Sequence, residues 1–548
     1  MPPHLRGQSS QEANPLLGSS SSASAEVRVG SMSVTQAGAA LFSLQVGWLG
    51  GLRTPLLLLA ICSLPVLLYL PFLNEPFLRD EGFFASVAQL MLDGGIPYRD
   101  AFDNKPPLIF GWYSLSFLFF GESVWAPRLM VSLLLSATTL LVYIQGRLMF
   151  SQSAAFIAAA AFAVSTGFAA FETNANVEYF LLLPMMGGLV SFTMGQRTGR
   201  LPWFALAGFA SGIAVLTKTT AVFSIALFAG ILVWPLVRGL GGGAWRGLQS
   251  WRPVLMFAGG LGAAGLLVTT PFIVSLTFDD MFEALVWYSG DYVGDVPLTT
   301  KLWLMARAPF FFLLVTGAWS LVAFIGATKL VRARHPMALL VVAWVASSVL
   351  GVVVAGRFYP HYYVMLLPGL ALLVPTGLDW LRQQWAWKPA RVALAGVLLI
   401  SFVVSSGLNL VIYAHSTADE RHIAKYPDTP MAEWETQGPL MADWLRERTT
   451  PGDYIYNLGG QSEVYFYADR RSPTRFLFDY PFAINANFED EAIRDLNERK
   501  PLYIFDSAIY EPDDWLANAY PEKVKKFVDE NYEYVGKIYY ADMYRLKD

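Results

Sequence analysis

Long apolar runs alternate with short polar links from about residue 54 to residue 413, and then the pattern changes. A helix that crosses a bilayer needs about 20 mostly apolar residues. Runs of this kind stand at 54–73, 125–148, 154–171, 179–194, 203–216, 219–236, 254–274, 309–328, 336–355, 362–378 and 392–413. They predict about eleven spans. Several runs are short. The pair 203–216 and 219–236 is joined only by Thr217-Lys218, so it reads either as two spans or as a re-entrant hairpin.

Residues 74–123 follow another rhythm. Phe83, Phe84, Val87, Leu90 and Met91 recur at helical spacing, which predicts a helix lying along the membrane surface. Gly94-Gly95 and Pro97 end it. The aromatic segment 107–120 is too short to cross and predicts a second interfacial helix. After about residue 415 the runs shorten and turn signals appear at Pro427, Gly438, Pro451-Gly452 and Gly459-Gly460. Helical patterns at 431–448 and 490–500, with strand patterns at 454–457, 474–478, 502–505 and 534–540, predict a small α/β domain. Residues 1–44 are rich in Ser, Ala and Gly with no apolar face, which predicts a disordered segment. No cleavable signal pattern precedes the run at 54, so that run reads as an uncleaved first span. The expected division is 1–44 disordered and cytoplasmic, 45–414 an all-α polytopic membrane domain, and 415–548 a small extracytoplasmic α/β domain.

Composition supports two solvents. Charged residues make up 15% of the 548, against about 25% in ordinary soluble domains. They concentrate in the last part of the chain. Mean hydropathy is +0.41. The one cysteine, Cys62, excludes an intramolecular disulfide, and with five scattered histidines it argues against a Cys/His zinc site.

Charge placement gives direction. Arg197 and Arg200, then Arg238, Arg246 and Arg252, then Lys329, Arg332 and Arg334, then Arg382, Lys388 and Arg391 fill alternate links that hold almost no acid. The opposite links carry Asp80, Glu81, Asp93, Asp103, Glu172, Asp279, Asp280, Glu283 and Asp291. By the positive-inside rule the N-terminus is cytoplasmic, and an odd number of spans puts the last domain outside.

Asp80 and Glu81 stand where the first surface helix would begin, and capping explains them as well as chemistry does. Asp103 and Lys105, before Pro106-Pro107, read equally as a surface ion pair. Both sets in one outward link at the membrane surface point to a chemical site. Lys218 between two apolar runs either snorkels to the interface or meets an anion. Arg357 breaks the basic-inside pattern, which favours a specific anion partner. Around it, Tyr359, Tyr362 and Tyr363 suit an aromatic belt, and His361 a hydrogen-bonding group. No phosphate loop, catalytic triad or internal repeat is visible.

The run DEGFFASVAQLMLDGGIPYRDAFDNKPPLIFGWY resembles the first-loop signature of the GT-C membrane glycosyltransferases. It is especially similar to bacterial relatives of the protein O-mannosyltransferases and of the aminoarabinose transferase that modifies lipid A. Asp80-Glu81 match their acid pair and Lys105-Pro106-Pro107 their Lys-Pro-Pro motif. The likeness continues through PRLMVSLLL, GIAVLTKTTAVF and GRFYPHYYVMLLPGLALL, over roughly residues 54–415. The resemblance implies transfer of a sugar, with inversion, from a polyprenyl-phosphate donor to a cell-envelope acceptor (glycolipid, polysaccharide or protein) at the outer face of a bacterial plasma membrane. It implies Asp80 as base, with Glu81 orienting it or binding sugar. Lys105, Lys218, Arg357 and His361 are then candidates for the leaving phosphate. Asp103, Glu172 and Glu178 are candidates for a second acid or acceptor contact; Glu178 is the better positional match, and relatives often have Asp where this chain has that Glu. Asp291, in WYSGDY, is a candidate acceptor contact. No metal ligand, nucleic acid or nucleotide sugar is expected, no cofactor is required, and a divalent cation stays open. A lipid or glycan flippase is the alternative; it predicts charges near the midplane and matched broken helices.

Overall fold

The computed structural model describes residues 53–168, 173–238, 250–291, 298–334, 336–384, 416–425, 431–507 and 521–547, with scattered positions between 389 and 400. The first apolar run forms α1 (Arg53–Tyr69), tightened at its end into a 3-10 turn over Leu70–Phe72. Leu56, Leu59 and Leu67 point outward, as a helix solvated by lipid requires. The first loop holds two helices, α2 (Arg79–Leu92) and α3 (Leu108–Phe120), where the periodicity puts them. The body continues with α4 (Trp125–Met149), α5 (Gln152–Ser165), α6 (Val177–Thr198), α7 (Leu201–Thr217), α8 (Val222–Arg238) and α9 (Arg252–Val274). Beyond it stand α10 (Leu298–Thr316), α11 (Ala318–Arg332), α12 (Pro336–Ala355) and α13 (Leu367–Gln384).

Among the described residues seven helical stretches are long and apolar enough to cross a membrane: Arg53–Phe72, Trp125–Met149, Val177–Thr198, Thr219–Leu236, Arg252–Val274, Pro336–Val354 and Pro360–Gln384. The chain is a multi-pass membrane protein. The runs at 154–171 and 203–216 become shorter apolar helices, α5 and α7. The run at 309–328 is broken at Gly317, whose φ of +53° separates α10 from α11. The run at 392–413 lies almost wholly outside the described residues, as does the segment 1–44.

Small residues let the body pack closely. A Cβ on Gly208 of α7 would overlap the Phe257 carbonyl of α9, and one on Gly260 of α9 would overlap the Ala205 carbonyl of α7. With little hydrophobic drive between helices in lipid, such backbone approach is the main source of attraction.

The last domain contains α14 (Ala418–Lys425), α15 (Met431–Arg446), α16 (Glu463–Ala468), α17 (Tyr480–Ile484), α18 (Asn487–Arg499) and α19 (Glu522–Asn531). Its sheet is formed by β1 (Ile455–Leu458), β2 (Tyr503–Asp506), β3 (Tyr532–Ile538) and β4 (Ala541–Leu546), in the order β1-β2-β4-β3. β1 runs parallel to β2, and the other pairs are antiparallel. The strand pattern at 534–540 is cut by a turn at Tyr539, φ +54°. The pattern at 474–478 forms no strand. Thr474 closes a local turn on Phe476, and the Arg475 carbonyl accepts instead from Phe102 N–H of the first loop at 2.7 Å.

That contact is one of many. Phe83 meets Phe478 with ring centroids 5.1 Å apart, Phe102 meets Phe488 at 5.1 Å, and Phe117 meets Phe466 at 5.5 Å. The apolar face of α2 is therefore covered by protein: α3 on one side and the soluble domain on the other. Gly82 makes this possible. A Cβ there would overlap Glu463 Cβ and stand 2.7 Å from its Cα.

Candidate active site

The N-terminus of α2 carries two neighbouring acids with opposite surroundings. Asp80 is exposed and makes no hydrogen bond or ion pair to a described residue. Glu81 is fully buried and saturated. Its Oε1 accepts from Arg128 Nε at 3.1 Å and from Ala175 N–H at 2.6 Å. Its Oε2 accepts from Arg128 Nη2 at 2.5 Å and from Leu78 N–H at 3.1 Å, the latter satisfying a free donor of the helix start. Burial alone would raise the Glu81 pKa, but the Arg128 guanidinium and the two backbone donors outweigh it and hold the carboxyl below its ordinary range.

Arg128 donates further, to the carbonyls of Phe72 at 3.2 Å, Glu75 at 2.5 Å and Pro76 at 2.8 Å. One guanidinium thus ties the exit of α1, the start of α2 and the entry to α6 together. The soluble domain adds a second tie. Glu435 of α15 accepts from Arg79 N–H at 2.7 Å and pairs with His422 at 2.7 Å. Beside it, Glu75 is buried with Lys425 at 2.5 Å and Arg421 at 3.5 Å.

Asp103 and Lys105 lie next to this helix start. Asp103 accepts from Asn104 N–H at 2.7 Å and stands 3.5 Å from Lys105 Nζ. Burial pushes its pKa above the ordinary carboxylate value; Lys105 opposes the rise and the charge of Asp80 adds to it. Asp80 and Asp103 therefore lie within electrostatic reach of each other. The Tyr98 hydroxyl donates to the Lys105 carbonyl at 2.8 Å and fixes the backbone ahead of Pro106-Pro107.

A second cluster forms where α7 breaks. Lys218 is extended, with φ −149° and ψ 125°, before a 3-10 turn over Thr219–Ala221 leads into α8. Its ammonium pairs with Glu178 Oε1, at the start of α6, and lies 4.0 Å from the Tyr362 ring centroid. Glu178 Oε2 is buried with no hydrogen-bond partner among the described residues. His361 packs against Tyr359 and Tyr362 and lies within electrostatic reach of Glu178. Trp112 of α3 donates to Thr217 Oγ1 at 3.2 Å, so the helix that follows Lys105 also touches this turn.

Arg357 follows Gly356, whose φ is +71°, and donates to the Tyr480 hydroxyl of the soluble domain at 2.7 Å. Asp291 is exposed and makes no hydrogen bond or ion pair with the other site residues among the described ones. Glu172 lies outside the described residues. Arg128, Glu435, His422 and Tyr480 did not stand out in the sequence. Arg128 carried a usable signal, a cation in the first turn of an apolar span, of the same kind that singles out Lys218 and Arg357. Among the described residues no group of three His, Cys, Asp or Glu side chains converges.

Residues 104–240 match the family described as dolichyl-phosphate-mannose-protein mannosyltransferase, a segment that holds Lys105, Glu178 and Lys218. No curated protein matches the chain. Solved structures do. ArnT from Cupriavidus metallidurans bound to undecaprenyl phosphate superposes with a TM-score of 0.56 at 16% identity, over 89% of this chain and 97% of that one. The Archaeoglobus fulgidus oligosaccharyltransferase tethered to an acceptor peptide gives 0.56 at 12% identity, over 92% and 75%. AglB from Archaeoglobus fulgidus, in complex with an inhibitory peptide and a dolichol-phosphate, gives 0.55 at 12% identity, over 91% and 74%. The chain has the fold of the GT-C membrane glycosyltransferases, the superfamily that its first-loop motif resembles.

Proposed function

We propose that this protein transfers a sugar from a polyprenyl-phosphate donor to a hydroxyl acceptor of the cell envelope, at the outer face of a bacterial plasma membrane. The observation that carries the reading is the exposed Asp80 carboxylate on a helix start held rigid by Glu81 and Arg128. A base must present an uncommitted oxygen to its proton, and geometry comes before pKa in judging it. Asp80 takes the acceptor proton as the hydroxyl oxygen bonds to the anomeric carbon. The carbon–oxygen bond to phosphate breaks on the opposite side, the phosphate leaves with the electron pair, and the sugar inverts. Glu81 acts as a positioning residue, since its carboxylate is committed.

Lys105, Lys218, Arg357 and His361 are the groups for the leaving phosphate. Charge-assisted hydrogen bonds from such cations are about twice as strong as neutral ones. Glu178 holds Lys218 until an anion arrives. The relatives' bound undecaprenyl phosphate and dolichol-phosphate support a lipid-linked donor. The basic-inside charge pattern supports a cytoplasmic N-terminus and an outer soluble domain, with residues 45–414 as the transferase and 415–548 covering its first loop.

Purified Asp80→Asn is expected to insert and fold normally yet lose about 10²–10⁴ in turnover of a polyprenyl-phosphate sugar. Full activity in that variant would remove Asp80 as base. A flippase is the second reading, favoured by the charged break between α7 and α8. Lipid movement across vesicles without any sugar transfer would select it.

A further inference from the structure

Outside the Asp80 region, the joint between the first loop and the last domain is recessed. A cleft of about 710 Å³ opens on the other side of α2. Its walls are Ser86 and Gln89 of α2, Asp93 just past its end, the Gly94-Gly95 turn, the Pro451-Gly452 turn and the segments around Arg471 and Asp495. Gln89 is nine residues beyond Asp80. At 3.6 residues per turn it faces about 180° away and lies about 14 Å further along the axis. The cleft is therefore separate from the proposed base.

Its size falls in the range of about 300–1,000 Å³ usual for ligand sites, but its lining does not fit an apolar guest. Six carboxylates and five guanidinium groups face it. A prenyl chain would strip water from all of them. An anion fares little better, because the cations are already committed. Arg471 pairs with Asp93 at 3.2 Å, Arg475 with Glu491 at 2.7 Å, and Arg99 with Asp100 at 2.6 Å. Arg470 and Arg499 donate to backbone carbonyls. Six acids against five arginines leave one net negative charge.

What such a wall does offer is unused hydrogen bonding. A guanidinium has five N–H donors; Arg475 and Arg470 spend nearly all of theirs, but Arg99 makes two hydrogen bonds and Arg471 and Arg499 one each. Donors and acceptors side by side on one wall suit a ligand whose every hydroxyl both donates and accepts. The geometry points to this cleft as a binding site for a neutral oligosaccharide, a stretch of glycan acceptor held away from its reacting end. The inference rests on the sugar-transfer reading above, and it names the acceptor as a glycan.

Gly452 provides the test. A Cβ added there meets nothing within 4 Å, so this exposed turn, which lines the cleft, accepts a large side chain without displacing the fold. The full chain in detergent is titrated, with no donor present, against neutral mannose, galactose and glucose trisaccharides and against glucose 6-phosphate. Saturation-transfer NMR and calorimetry read binding. At least one trisaccharide is expected to bind. Gly452→Trp is expected to abolish that binding, and Asp93→Ala or Arg471→Ala to weaken it about tenfold. The proposal is overturned if no trisaccharide binds, if Gly452→Trp binds like the unaltered protein, or if the phosphorylated sugar binds tighter than the neutral ones. Donor turnover plays no part in this readout, so loss of the Asp80 reading and loss of the cleft are told apart.

Discussion

Two ion pairs, one fully buried and one partly buried, flank the proposed reaction space and differ in completeness. Glu81–Arg128 is closed: each Glu81 oxygen accepts two hydrogen bonds, and the guanidinium spends its remaining donors on backbone carbonyls. Glu178–Lys218 is open. One Glu178 oxygen lacks a partner among the described residues, and the ammonium rests on an aromatic face at a helix break. A closed pair fixes geometry. An open pair can exchange partners, which is what a cation needs if it is to greet a phosphate and release it. Under the proposed function, the closed pair would aim the base and the open pair would meet the leaving charge.

Four substitutions test the contrast. Arg128→Ala strands the Glu81 charge and the four backbone carbonyls it bonds, and is expected to cost about 3–5 kcal/mol. Thermal unfolding in detergent reads it; an unchanged midpoint would mean the pair anchors nothing. The double change Glu178→Gln with Lys218→Met removes the open pair without stranding a charge. It is expected to leave the midpoint nearly unchanged while lowering kcat/KM for the donor about a hundredfold. If stability falls and donor use does not, the two pairs do the same job. Glu435→Ala frees the Arg79 N–H and His422, for about 1–3 kcal/mol. A lower kcat at constant donor KM would mark it as positioning the α2 start from outside the membrane domain.

Asp103 gives the smallest effect, and its sign is definite. Its folded pKa is raised, so the protonated form favours folding. Its contribution is complete below the ordinary carboxylate value of about 3.9 and is lost as pH rises through the raised value. Asp103→Asn should therefore gain stability relative to the parent as pH increases across that window. A constant difference from acid to neutral pH would count against the burial argument.

The hydrophobic pattern made most of the fold readable, because a span, a surface helix and a strand differ in period within a dozen residues. It misled where one residue outweighed a run. Gly317 splits a stretch that averages as apolar, and Thr474 turns a strand-like segment on itself. Asp80, Lys105 and Lys218 stood out in the sequence because a charge beside lipid is costly and calls for a reason. Their supports were not. Arg128 meets Glu81 across 47 positions of sequence, and Glu435 meets Arg79 across 356. No local pattern encodes such a pairing; it exists only once the layers have closed.

Gly82 shows what that closure means for the making of the protein. The chain emerges from its N-terminus, so α2 is laid down long before Glu463, the residue that must settle against it. Until that last domain arrives, the helix bearing Asp80 lacks one of its walls. A chain truncated ahead of residue 463 would keep the Glu81–Arg128 pair but lack the backbone that packs against Gly82, so that face of the helix would stay bare.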